Sequence, residues 1–177
     1  MCETSGNHSG NHGLSRRSFT SLALGAAGLA AFPLAARGAE IEALCVCCID
    51  YRLVDNAVAF FDKEQHLLHS YDLVALAGGS LAAVGPAFPA SDAAFWDHVS
   101  IARQLHHIKR VVVLDHRDCG AYKVQYGSLY AGSGEPELEQ HRGVMKLAKA
   151  EFERRKIDLP VEFYLMGLNG MAERVAV

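Results

Sequence analysis

The run Val111-Val112-Val113-Leu114 constrains this chain more than any other feature. Four consecutive branched apolar residues leave no polar face for water, so the strand they predict is buried on both sides. Such a strand needs a covering layer on each face, and the rest of the chain supplies alternating strand and helix patterns. Ile41 to Ile49 is a second compact apolar run, rich in Cys and Val, and reads as a strand. Val54 to His69 places Ala57, Val58, Phe61, Leu67 and Leu68 at helical spacing. Asp72 to Ala77 is a further strand, closed by Gly78-Gly79-Ser80, and Leu81 to Ala90 reads as an Ala/Gly/Pro-rich loop. Ser91 or Asp92 is placed to cap a helix running to about Ile108. After a Gly/Ser-rich loop over Gly127 to Pro136, Glu137 to Lys156 is amphipathic and Val161 to Met166 is the last strand. The alternation predicts one α/β domain, with a mostly parallel sheet of about four strands flanked by helices.

In parallel sheets, ligands gather beyond the carboxyl ends of the strands. Two motifs fall at such ends: Cys48-Ile49-Asp50-Tyr51-Arg52 after the first strand and His116-Arg117-Asp118-Cys119 after Val111 to Leu114. Cys48, Asp50, His116 and Cys119 form a donor set suited to tetrahedral zinc, which favours sulfur and nitrogen. An exchangeable carboxylate among the four points to catalysis rather than to structure, and Arg52 is left to manage that carboxylate. On an extended segment Cys48, Asp50 and Arg52 share one face. The blander reading, buried cysteines beside a plain Asp50–Arg52 salt bridge, needs four coincidences at two strand ends. Cys45 and Cys47 read as core, Arg117 and Asp118 as turn residues, and Phe95 and Trp96 as packing groups.

The N-terminus reads as an export signal. Ser15-Arg16-Arg17-Ser18-Phe19 is a twin-arginine signature, followed by an apolar run from Leu22 to Ala36 and small residues suited to signal peptidase. Residues 1–38 are therefore expected to be the signal peptide and 39–177 the catalytic domain, delivered to the periplasm by the twin-arginine machinery. The net charge of −3 becomes more acidic once Arg16, Arg17 and Arg37 leave with Glu3, which argues against nucleic acid as a partner. Cysteines in an exported protein ordinarily pair, but Cys45, Cys47 and Cys48 are too close in an extended strand to do so easily. Export of the folded protein would let thiolates take their metal in the reducing cytoplasm first.

Cys-x-Asp-x-Arg at Cys48–Arg52, Ala77-Gly78-Gly79-Ser80 after the second strand and His116-Arg117-Asp118-Cys119-Gly120-Ala121 together resemble the β-class carbonic anhydrases. The similarity runs in order from about Ala43 to Gly170. Gly79-Ser80 stands where that family usually has Gly-Asn, and Leu81 to Phe95 is longer and more apolar than is typical. The resemblance implies Zn2+ held by Cys48, His116 and Cys119, with a fourth position for water. It implies a carbonate dehydratase that interconverts carbon dioxide and bicarbonate by a zinc-bound hydroxide. Asp50 and Arg52 are then the catalytic pair, with Asp50 either orienting the nucleophile or closing onto the zinc. Gly78, Gly79 and Ser80 would border the substrate pocket. Tyr122, Lys123, His66, His69, His98, His106 and His107 are candidate proton relays, more often solvated helix positions than relays. A homodimer or higher homo-oligomer is implied as well. Hydrolysis of carbonyl sulfide or carbon disulfide at the same site, or zinc binding without turnover, are the alternatives.

Overall fold

A computed structural model describes residues 40–177. The signal-peptide expectation for residues 1–38 lies outside the described residues. Five strands form one sheet: β1 (Ala43–Cys47), β2 (Tyr71–Ala75), β3 (Arg110–His116), β4 (Val161–Met166) and β5 (Ala172–Arg174), in the order β2-β1-β3-β4-β5. The first four are parallel, and β5 pairs antiparallel with β4. The four expected strands are all present, and β5 is an addition. At three residues it is too short to leave an alternating pattern in the sequence.

Every residue of β1 is buried, as are Val111 to His116 of β3. Successive strand residues point to opposite faces, and two apolar clusters divide the pair accordingly. Leu44, Val46, Val111 and Val113 pack with Phe95, Trp96, Val99, Met145 and Phe152 from α2 (Pro89–His106) and α4 (Glu135–Arg154). Ala43, Cys45, Cys47, Val112 and Leu114 pack with Leu53, Ala57, Phe60 and Phe61 from α1 (Val54–Ala59), the residue before it and the turn after it. Both faces of the central strands are thus covered.

Three local expectations change. The helix expected over Val54 to His69 is α-helical only to Ala59 and then widens into a π-turn over Phe60–Glu64. That widening turns the adjacent Phe60 and Phe61 both inward, with ring centroids 5.5 Å apart. The expected loop after Ser80 begins as a fully buried 3-10 turn over Gly79–Ala83. Helix α2 starts at Pro89, ahead of Ser91, because proline suits the first helical turn where no N–H is needed. Asp92 accepts instead from Trp96 Nε1 at 2.9 Å. A short helix not anticipated, α3 (Gly120–Tyr126), follows directly on Cys119. Among the described residues no helix is long and apolar enough to cross a membrane.

Candidate metal centre

Strands β1 and β3 are parallel neighbours with Cys47 opposite Leu114. Cys48 leaves β1 at the level where β3 reaches Asp115 and His116, and the two motifs meet. A two-residue turn, with Asp118 at φ +58°, carries the chain from His116 to Cys119. The atoms of Cys48, His116 and Cys119 that could ligate a metal lie within 4.8 Å of one another. His116 and Cys119 are 3 % and 1 % exposed.

The donor set fits a tetrahedral metal on two counts. The sulfurs of Cys48 and Cys119 are 3.8 Å apart, and two thiolates each about 2.3 Å from one tetrahedral zinc stand about 3.8 Å apart. His116 Nδ1 lies 2.8 Å from the Arg117 carbonyl, which sets the tautomer with Nδ1–H donating. Its Nε2 is buried without a hydrogen-bond partner, the arrangement of a histidine whose free nitrogen faces a metal.

Local electrostatics favour a thiolate. The Cys48 thiol is pulled down to about 4, chiefly by a hydrogen bond from Cys119, against the push of burial and helped by His116 and the Gly78 amide. Cys119 is pushed up by the proton it shares toward Cys48 and by burial. Burial alone would lower His116, but the negative charge of the neighbouring Cys48 and Asp50 and the bond to the Arg117 carbonyl outweigh it and raise the imidazole. Cys45 and Cys47 lie in the core, and burial pushes both thiols up, Cys47 to about 11.

Asp50, the fourth expected ligand, is held elsewhere. Arg52 donates to it from the backbone amide at 3.0 Å, from Nε at 2.9 Å and from Nη2 at 2.7 Å. This two-pronged clamp is the strong geometry of an Arg–carboxylate pair, and it draws the Asp50 carboxyl down to about 2. The pair forms through a turn, with the Leu53 amide donating to the Asp50 carbonyl at 3.1 Å, rather than along an extended face. Asp50 Oδ2 remains 3.7 Å from His116 Nε2. Arg52 is anchored in turn by Asp118, through Nη1 to Oδ2 at 2.9 Å and Nη2 to the carbonyl at 3.1 Å. Lys123 also donates to Asp118.

Beside the triad lies a narrow cleft with a volume of about 10 Å³, room for about one water molecule. It is lined by the apolar residues Cys47, Leu53, Ala57, Leu114 and Met166 together with Cys48, Asp50, Asp115 and His116. Gly78, Gly79 and Ser80 stand behind Cys48 instead of walling this cleft. The Gly78 amide donates to Cys48 Sγ at 3.3 Å, and the Ser80 hydroxyl turns into the interior toward Asp115. Among the candidate relays, Tyr122 is wholly buried with its hydroxyl on Asp115. His98 bonds the Ala94 carbonyl, and His106 pairs with Asp72. His66, His69 and His107 are exposed residues with left-handed backbone.

Two groups not singled out from the sequence support the site. Buried Glu137 of α4 accepts from the Asp118 amide at 2.6 Å, Tyr130 at 2.7 Å and Arg117 at 3.3 Å, pinning the turn between His116 and Cys119. Asp115 gathers donors on the opposite face of β3 from His116. A carboxyl group ending an otherwise apolar strand was the available signal for Asp115. Nothing local marks Glu137, which lies on the polar first turn of a helix where acidic residues are common.

A family model described as "Putative carbonic anhydrase" matches residues 39–132, a span that holds both motifs. An uncharacterized protein of Rickettsia conorii is 33% identical over 136 residues, covering 77% of this chain and 73% of that protein. One from Rickettsia bellii is also 33% identical over 136 residues, covering 77% of this chain and 82% of its own length. Among solved structures, the β-carbonic anhydrase CafA of Aspergillus fumigatus aligns with TM-score 0.44 and 18% identity, over 81% of this chain and 79% of that one. A tetrameric β-carbonic anhydrase of Sordaria macrospora aligns with TM-score 0.46 and 12% identity, over 79% and 83%. Because the family model spans more than half of the sequence, including both converging motifs, the chain belongs to that carbonic anhydrase family.

Proposed function

We propose that this protein is a zinc-dependent carbonic anhydrase that interconverts carbon dioxide and bicarbonate. The observation that carries the reading is the convergence of Cys48, the unpartnered His116 Nε2 and Cys119 beside a carboxylate that Arg52 holds aside. Three protein donors leave one position of a tetrahedral metal free for exchange. When bound, the metal lowers the pKa of a water ligand toward neutrality and so supplies the nucleophile.

The remaining work falls to this chain's own residues. Cys48, His116 and Cys119 would hold the metal. Arg52 keeps Asp50 ionised and bound to itself, so that Asp50 can accept a hydrogen bond beside His116 and orient the attacking water. The wall of Leu53, Ala57, Leu114 and Met166 suits a small uncharged substrate and offers no cation to a larger anion. Assembly of two or more copies belongs to the same reading. It is supported by the exposure of Ile49, Tyr51 and Val54, at 60 %, 87 % and 49 %, in the segment that carries Asp50 and Arg52. Export to the periplasm by the twin-arginine route rests on Ser15 to Phe19.

Stopped-flow carbon dioxide hydration by the zinc-loaded protein from pH 7 to 9 tests the reading. A rate above buffer that rises with pH is expected. No rate at any pH, with one zinc per chain confirmed, would sink it and leave zinc binding without turnover. Turnover of carbonyl sulfide alone would move the substrate and keep the site.

A further inference from the structure

We propose that Asp115 is a positioning residue for the metal centre, holding the Gly78 amide against Cys48 Sγ by fixing Ser80. The inference rests on the metal reading above and adds a layer behind it.

Asp115 is 1 % exposed and points away from its neighbour His116, as successive strand residues do. Its carboxylate collects four donors. Oδ1 accepts the Ser80 amide at 2.7 Å. Oδ2 accepts the Ser80 hydroxyl at 2.6 Å, the Tyr122 hydroxyl at 2.8 Å and His141 Nδ1 at 2.9 Å. Ser80, Tyr122 and His141 are each 0 % exposed. With Nδ1 turned to Asp115, His141 Nε2 is left buried and unpartnered. Burying a polar atom without a partner is unfavourable, so the interior tolerates a cost to complete the shell around this one carboxylate.

What the carboxylate controls is the turn over Gly78 to Ser80. Gly78 and Gly79 are consecutive left-handed residues, at φ +86° and +58°, a conformation glycine takes without strain but is free to leave, so the turn keeps its shape only where something holds it. Asp115 holds it at both the amide and the hydroxyl of Ser80. A Cβ on Gly79 would overlap Asp115 Oδ1, so the carboxylate lies directly on the turn's backbone. At the other end of the same turn, the Gly78 amide meets Cys48 Sγ at 3.3 Å. An N–H held on a thiolate stabilises the anion and tempers its donation to a metal. A turn free to rotate would withdraw that amide. Neither Asp50 nor Arg52 takes part, so the device is separate from the catalytic pair.

The test compares the full chain with Asp115→Ala, Asp115→Asn and Ser80→Ala by zinc affinity in chelator competition and by the cobalt(II) spectrum. Asp115→Ala is expected to weaken zinc about 10- to 100-fold, the usual effect of losing an outer-layer partner. Its thiolate-to-cobalt charge-transfer band should move to longer wavelength as Cys48 loses its hydrogen bond. Asp115→Asn keeps an oxygen for the Ser80 amide and should restore affinity to within about threefold of wild type. If Asp115→Ala does not fold, Ser80→Ala decides alone, with zinc expected to weaken about threefold or more. Folded variants that bind zinc like wild type, with an unmoved cobalt band, overturn the positioning role and leave the metal reading intact. Equal weakening in Asp115→Asn and Asp115→Ala assigns the effect to charge and overturns it too. Wild-type protein that binds no zinc overturns both.

Discussion

Gly79→Ala puts the turn behind Cys48 to a quantitative test. Three costs fall on this substitution. The backbone at φ +58° is left-handed, which costs an L-residue roughly 1–2 kcal/mol. The new Cβ would also overlap Asp115 Oδ1 and stand 3.0 Å from the Leu114 carbonyl. Crowding of that kind typically costs about 1–3 kcal/mol, and displacing a buried hydrogen-bonded carboxylate adds about 1–3 kcal/mol. Gly132→Ala serves as the control, because Gly132 is also left-handed at φ +81° but has nothing within 4 Å of its added Cβ. Both variants put an L-residue at positive φ, so the difference between them reports chiefly the collision with Asp115 and should be at least about 2 kcal/mol. For a domain of this size that corresponds to a Tm about 6–10 °C below that of Gly132→Ala. Thermal unfolding of metal-free protein by circular dichroism measures it. If Gly79→Ala melts within about 2 °C of the control, Asp115 does not lie against the turn and the account of the site's rear wall fails.

Cys119→Ala should abolish stoichiometric zinc, whereas Asp50→Ala should retain it and lose hydration activity; full metal content in Cys119→Ala would refute the ligand assignment. In zinc-stripped protein at pH 7, iodoacetamide should label Cys48 first, since its thiol is drawn down to about 4 while burial pushes Cys47 up to about 11. Zinc should protect it, and prior labelling of Cys45 or Cys47, read by peptide mass, would contradict the electrostatics. Arg52 lowers Asp50 from 3.8 to about 2 in the folded state. The stability this contributes is present above about pH 4 and lost as pH falls toward 2. Urea titrations of the metal-free protein should therefore show a shallower loss across that window in Arg52→Ala than in wild type, and parallel slopes would show that the clamp is not formed.

Much of the architecture was legible because it is written locally. An all-apolar strand demands two covering layers, and the periodicities of α2 and α4 announce them. Where local pattern and packing disagree, packing prevails. Phe60 and Phe61 are adjacent, yet both are buried, so the helix widens rather than keep one outside. Pro89 starts α2 because its fixed φ and missing N–H suit the first helical turn, and no side chain caps the helix there. Helix α3 is seven residues of no clear period, shaped by its position after Cys119.

The sequence by itself determined the α/β class and marked Cys48, Asp50, His116 and Cys119 as candidate donors, of which the fold gathers Cys48, His116 and Cys119. Donor type and strand-end placement are properties of short segments. Tertiary structure decided how the site is held. Arg52 turns back on Asp50 and reaches Asp118 66 positions away, keeping the carboxylate off the three donors. Asp115 draws on Ser80 and His141, 35 and 26 positions distant, and Glu137 steadies the turn before Cys119. Such bonds depend on the register of β1 against β3 and on the approach of α4 to the sheet. Those distances arise only when the layers pack, and no periodicity along the chain encodes them.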